Sequence, residues 1–199
     1  GVCTFTDLGY TKTDAITLKF TATMYNATSG NSSAGSMTFL ADTPHTLTFG
    51  KQPANTDGTV DDVLQTQPII NAVDQYGNNC QNDVEITATL NTGTGTLRGT
   101  ATVAIAGGAG NATFTDLGYS KSGETFKISF TANAGDAEAA VSDNITALAF
   151  GAAAKIAFTA APTTGYIYQN LSPQPIIAVQ DQYNNVVTSD GTAISIEAY

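Results

Sequence analysis

NATFTDLGYSKSGETFKISFTA, residues 111–132, carries the reading of the fold in its two halves. In the second half Phe126, Ile128, Phe130 and Ala132 alternate with Lys127, Ser129 and Thr131. Successive side chains of an extended chain point to opposite faces. This is therefore a strand with one face in an apolar core and the other in water. In the first half TFTDLGY, Thr113–Tyr119, repeats letter for letter at Thr4–Tyr10, 109 residues earlier. The stretch belongs to a unit that occurs more than once. That unit is the size of a small domain, too long for a solenoid turn.

Working outward, the same period of two recurs. Val84, Ile86, Ala88 and Leu90 alternate with Glu85, Thr87 and Thr89, and Pro44–Lys51 places His45, Leu47 and Phe49 on one side. Gln67–Val73, Leu97–Ala106, Asn111–Leu117 and Asn144–Phe150 also read as strands, with Gly, Asn and Asp turn formers between them. Seven strands in about 109 residues predict an all-β, two-sheet sandwich. Its inner face is expected to include Phe49, Ile70, Val84, Ile86, Ile105, Phe114, Ile128 and Phe130.

A second pair of repeats sets the organisation. QPII at Gln67–Ile70 returns at Gln174–Ile177, and DQY at Asp74–Tyr76 returns at Asp181–Tyr183, both 107 residues on. Residues 43–151 make one complete module. Residues 1–42 match its second part, 110–151, with the last three strands, and residues 152–199 match its first three strands, to about Leu90. The array is thus out of frame at both ends, and nothing in either end matches Asn91–Ala109. A half module leaves strand edges and half a core open. Each end is expected to find a partner, in flanking sequence or in a neighbouring molecule.

Composition bounds the function. Seven basic against 17 acidic residues give a net charge of −10. That balance argues against nucleic acid, whose phosphates need a basic footprint. No apolar run approaches the length of a membrane-spanning helix. The chain opens with neither a signal peptide nor Met, and reads as a processed form or a fragment. The two cysteines, Cys3 and Cys80, fall about a module apart in an extended array. No bond between them within one chain is expected.

At this point the residues resemble a known family. NAVDQYGNNCQNDVEITATL (Asn71–Leu90) and AVQDQYNNVVTSDGTAISIEAY (Ala178–Tyr199) are similar to the second and third strands, with their loop, of bacterial immunoglobulin-like modules of the invasin and intimin type. Asp74, Gly77 and Asn78 occupy the matching positions. Asn79 stands where Pro is common, and Asn184 replaces the Gly in the second copy. GNATFTDLGYSKSGETFKISFTA (Gly110–Ala132) resembles the family's fifth and sixth strands. The resemblance implies tandem seven-stranded immunoglobulin-like sandwiches used as stalks and spacers. It brings no catalytic residues.

A search for chemistry finds little. His45 is the only histidine, so a Ser-His-Asp or Cys-His pair would have to use it. At the start of a strand it reads as a structural or surface residue. The glycines at 107, 108 and 110 precede a strand, not a helix, and read as a turn. Asp57, Asp61 and Asp62 share a loop and could offer oxygens to Ca²⁺. The other copy has TTGYIYQN (Thr163–Asn170) there, without a carboxylate, so a solvated loop is the reading taken. Asp7 and Asp116 are equivalent and read as turn or cap residues. Asn26, Asn31, Asn111, Asn144 and Asn170 head N-x-S/T sequons and are the candidate glycan acceptors.

No cofactor is expected, and no enzyme. The sequence predicts a structural subunit of an extracellular filament or surface array. Its expected partners are copies of itself, joined head-to-tail through modules completed between subunits. The alternative is a stalk fragment of a giant secreted adhesin whose ligand-binding domain lies elsewhere.

Overall fold

The structure, a computed structural model, describes residues 2–22, 30–33, 35–81, 83–105, 107–188, 191, 194–195 and 197. These residues contain strands and no helix. The first segment holds β1 (Ala15–Ile16), β2 (Lys19–Ala22), β3 (Gly30–Ser33) and β4 (Met37–Thr38). The central segment holds β5 (Thr46–Lys51), β6 (Ile69–Val73), β7 (Glu85–Thr92), β8 (Leu97–Arg98), β9 (Thr102–Ala104), β10 (Asn111–Thr113), β11 (Gly118–Tyr119), β12 (Lys127–Ala132) and β13 (Ala140–Val141). The last holds β14 (Lys155–Ala160) and β15 (Ile176–Gln180).

All the strand pairs are antiparallel. In the central segment one sheet runs β10-β6-β5 and another β13-β12-β7-β9. They share one apolar core. Phe49 of β5 meets Phe130 of β12 edge-on at 5.6 Å between centroids, and Phe114 reaches Phe130 at 5.3 Å. The alternation in the sequence does the sorting. Ile70 and Ala72 of β6, Ile86 and Ala88 of β7, and Ile128 and Phe130 of β12 are all buried. Each large side chain so buried contributes about 1.5–3 kcal/mol. Of the eight residues expected inside, seven are buried and Phe49 packs against them half-buried.

Three strand expectations need correction. The strand expected over Leu97–Ala106 is two short ones. β8 pairs with β11, and β9 pairs with β7. Gly99, at φ +92°, turns the chain between them, where a Cβ would collide with the carbonyl oxygen of Asp116. The strand expected at Asn144–Phe150 lies earlier, as β13, paired with β12. Beyond it Ile145 and Leu148, three residues apart, are both buried, a spacing that no regular strand can satisfy. Isolated bridges from Ile145 to Phe126 and from Leu148 to Ser122 hold that stretch. His45 does not continue the apolar side of β5. It sits beyond the core at the strand's start, with its side chain 55% exposed.

The sequence repeats are repeats in space. β14 pairs with β15 as β5 pairs with β6, and a register shift falls at Phe158/Ala160 as at Phe49/Lys51. What differs is what covers them. Ile156 and Phe158 are 59% and 60% exposed, whereas Leu47, in the position of Ile156, is 8% exposed. In the first segment Phe5 and Leu8 are 60% and 61% exposed, against 1% and 0% for Phe114 and Leu117.

Candidate functional site

The most developed polar architecture lies in two loops that are copies of each other, Asp74–Asn78 and Asp181–Asn185. Each Asp is buried and accepts bonds on both oxygens. Oδ1 of Asp74 takes the N–H groups of Tyr76 and Asn78 at 2.9 Å, and Oδ1 of Asp181 takes those of Tyr183 and Asn185 at 2.9 Å. Oδ2 takes the Asn side-chain amide, at 2.9 Å from Asn78 and 2.9 Å from Asn185. A short side chain that can bond its own backbone two and four residues on closes the turn. This is why Asp stands there.

The remaining bonds leave the loop and cross to the preceding segment. Oδ2 of Asp74 accepts the N–H of Asp42 at 3.2 Å, and Oδ2 of Asp181 accepts that of Gly151 at 2.9 Å. The Asn78 amide donates to the carbonyl of Thr11 at 2.9 Å, and the Asn185 amide donates to that of Ser120 at 2.8 Å. Thr11 and Ser120 are equivalent residues, each just after a TDLGY block, and Asp42 and Gly151 are equivalent linker residues. The two loops therefore clasp the segment before them through the same bonds at the same positions. Each clasp pins both the linker and the turn of the preceding repeat.

The second joint carries more. Ser122 donates its N–H to Oδ1 of Asn185 at 3.0 Å. Asp61 accepts the N–H of Ala152 on Oδ2 at 2.8 Å and the Gln182 amide on Oδ1 at 2.8 Å. A Cβ at Gly151 would collide with that Asp61 carboxylate. The guanidinium of Arg98 lies 4.8 Å over the ring of Tyr183 and also donates to the Asp62 carbonyl at 2.8 Å. At the first joint the Lys12 ammonium reaches the carbonyl of Tyr76 at 3.4 Å.

Burial is the largest influence on Asp74 and Asp181 and pushes both carboxyls up. The hydrogen bonds from Asn78 and Asn185 and from the surrounding backbone N–H groups outweigh it, and both acids lie below the ordinary carboxylate value. Both are therefore anionic at neutral pH, fixed in place by donors instead of cations.

The other residues singled out from the sequence lie elsewhere. His45 Nδ1 is 3.0 Å from Asp136, both exposed, and that contact holds Asp136 below its ordinary value. Asp57, Asp61 and Asp62 turn to separate partners. Gln65 donates to Asp57, Asp61 serves the joint, and Asp62 takes the N–H and hydroxyl of Thr59. Among the described residues no group of three acidic, His or Cys side chains is placed to hold a metal. Asp116 caps a turn, accepting the N–H of Thr100 at 2.9 Å and its hydroxyl at 2.8 Å. Cys3 is exposed and Cys80 buried, both as free thiols. Of the sequon residues Asn144 and Asn170 are exposed and Asn111 is half-buried; Asn26 and the side chain of Asn31 fall outside the described residues.

Sequence reading picked out Asp74 and Asn78 but not what they reach. It read Asp61 only as a possible calcium ligand in a solvated loop, not as a joint residue, and it missed Gln182. The available signal was that the loops repeat more faithfully than the strands they join. No family model, no curated protein and no solved structure matches the chain.

Proposed function

We propose that this chain is a non-catalytic, structural stretch of tandem immunoglobulin-like sandwich modules akin to those of invasins and intimins. It works outside the cell or on its surface, as a subunit of a filament or surface array built head-to-tail from copies of itself. The observation that carries the reading is the joint. A flexible tether would leave its linker free. Here the linker donates to a buried carboxylate and the neighbouring turn accepts from the asparagine amide beside it, and the arrangement occurs twice at the same positions. Repeating one stiff joint gives a rod with a fixed step, which suits a fibre. The exposed apolar faces of the first and last segments support completion between copies, because a covered counterpart of each exists in the same chain. Among the described sequon residues, exposed Asn144 and Asn170 are the accessible glycan acceptors.

A stalk of a longer adhesin uses the same joints, and they favour it equally. Intact mass of the protein taken from the cell surface separates the two: about 20.5 kDa plus any glycan for a subunit, several-fold more for a stalk. The shared claim, stiffness, is tested by small-angle scattering of the chain. Asn78→Ala with Asn185→Ala is expected to broaden the distance distribution while the near-ultraviolet signal of the core is kept. An unchanged profile would refute the joint as the source of stiffness.

A further inference from the structure

We propose that the open face of the last segment is closed by residues 2–22 of a second copy, with the Gln174 side chain reading the backbone of Leu8. This rests on head-to-tail assembly and specifies its contact. The complete central segment is the template. There the Gln67 amide donates to the carbonyl of Leu64 at 2.9 Å and to that of Leu117 at 2.9 Å, and its oxygen accepts the N–H of Leu117 at 3.0 Å. One side chain thus ties the two halves together. In the last segment half of this device is already set. Gln174 is exposed and donates to the carbonyl of Leu171, the counterpart of Leu64, at 2.9 Å. The counterpart of Leu117 is Leu8, whose side chain stands 61% exposed.

The apolar surfaces correspond in the same way. Phe158, Pro162, Leu171, Pro175 and Ile177 line a groove in the last segment. Their counterparts Phe49, Pro53, Leu64, Pro68 and Ile70 are buried or half-buried, and Phe49 packs on Phe130, which in turn meets Phe114. Phe5 occupies the position of Phe114, and Phe20 occupies that of Phe130 once a single residue, Gly123, is skipped in the alignment. The rings of Phe5 and Phe20 lie 5.3 Å apart, the same centroid separation as that central pair, at an interplanar angle of 36° against 62°. The register follows from the pairing of Ala112 with Ile70 and of Thr113 with Ile69. It sets Cys3 of one copy opposite Ile177 of the next, and Thr4 opposite Ile176. A composite of the two ends has no sequence counterpart of β8 or of β9, the outermost strand of its sheet, since both lie in the unmatched stretch Asn91–Ala109.

The two halves of one chain cannot meet. β6 runs into the Asp74–Asn78 loop and β10 runs antiparallel to it. The first segment, held at Asn78, and the last, held at Ser120, therefore sit at opposite ends of the central segment. Only a second copy brings Leu8 to Gln174.

The register supplies its own probe. In the full chain, Ile177→Cys with native Cys3 should give a ladder of covalent oligomers on non-reducing gels after treatment with oxidised glutathione. Cys3→Ser in that background should abolish it. Gln174→Ala in the otherwise native chain should weaken self-association at least tenfold in sedimentation. Oligomers that form without the ladder and are indifferent to Gln174→Ala would overturn this contact and leave head-to-tail assembly standing. A chain that stays monomeric at every concentration would overturn both, and would assign the closing strands to the same polypeptide.

Discussion

Asp74 and Asp181 show how one residue can hold two segments. Each supplies all its acceptor capacity to donors of the loop and of the linker, and removing it would strand several N–H groups, at about 1–3 kcal/mol for each that is buried. Their depressed pKa sets the pH dependence. A carboxyl that is more acidic folded than unfolded contributes its full stability above the unfolded value of 3.8 and loses it as pH falls through the folded one. The joints are expected to hold from neutral pH down to about that value and to loosen only below it. Scattering profiles taken between neutral pH and strong acid check this, and Asp181→Asn should shorten the stiff range at neutral pH. The sequence departure at Asn184 also resolves at this scale. Asn184 has φ 71° and Gly77 has φ 78°, so both copies need the left-handed region, and Asn is among the few non-glycine residues that tolerate it.

At the scale of the element, that pair predicts a contrast. Gly77 has open space around the position of a Cβ, whereas Gly99 has a backbone carbonyl there. Gly77→Asn should cost less than about 1 kcal/mol, and Gly99→Ala several times that, since it strains φ and drives β8 from Asp116 together. Urea unfolding followed by tyrosine fluorescence measures both. The strand positions themselves were legible. β7 and β12 lie where period two put them, because the direction of a side chain in an extended backbone is set by parity alone. The broken strand at Gly99 and the shifted β13 were not legible. A turn between sheets and a stretch buried at a spacing of three depend on which neighbour is opposite, not on the local pattern. Val60 and Leu64 make the same point. They lie in the loop read as solvated, and both are buried.

For the whole molecule, stability concentrates in the central segment, and Tyr119 is its most exacting member. It is buried, stacks on Phe126 at 3.9 Å, accepts the N–H of Gly95 at 2.7 Å and donates to Glu124. Burial first, and the bond to Glu124 next, push its hydroxyl up to about 12 from 10.0. The sign follows: the unfolded tyrosine ionises first, so stability is complete below pH 10 and is lost as pH rises towards 12. The loss amounts to about 3 kcal/mol from this group. Tyr119→Phe should flatten that alkaline limb in thermal melts while lowering stability at neutral pH, where the Gly95 N–H keeps only its longer bond to Glu124 at 3.3 Å. The first segment repeats the device, Tyr10 donating to Asp14 at 3.1 Å, but there the ring is 41% exposed. The same residues hold far less when the other half of the core is absent.

By itself the sequence determined the β class, the internal repeats and most of the inward-facing residues. Each of these is written in side chains whose order along the chain maps directly onto direction or recurrence. The joints were decided only by the tertiary structure. Their donors and acceptors are main-chain groups of Thr11, Asp42, Ser120 and Gly151, and such groups are alike at every residue. Which of them meets a buried carboxylate or its neighbouring asparagine depends on the path of the chain, and no side-chain pattern records that path.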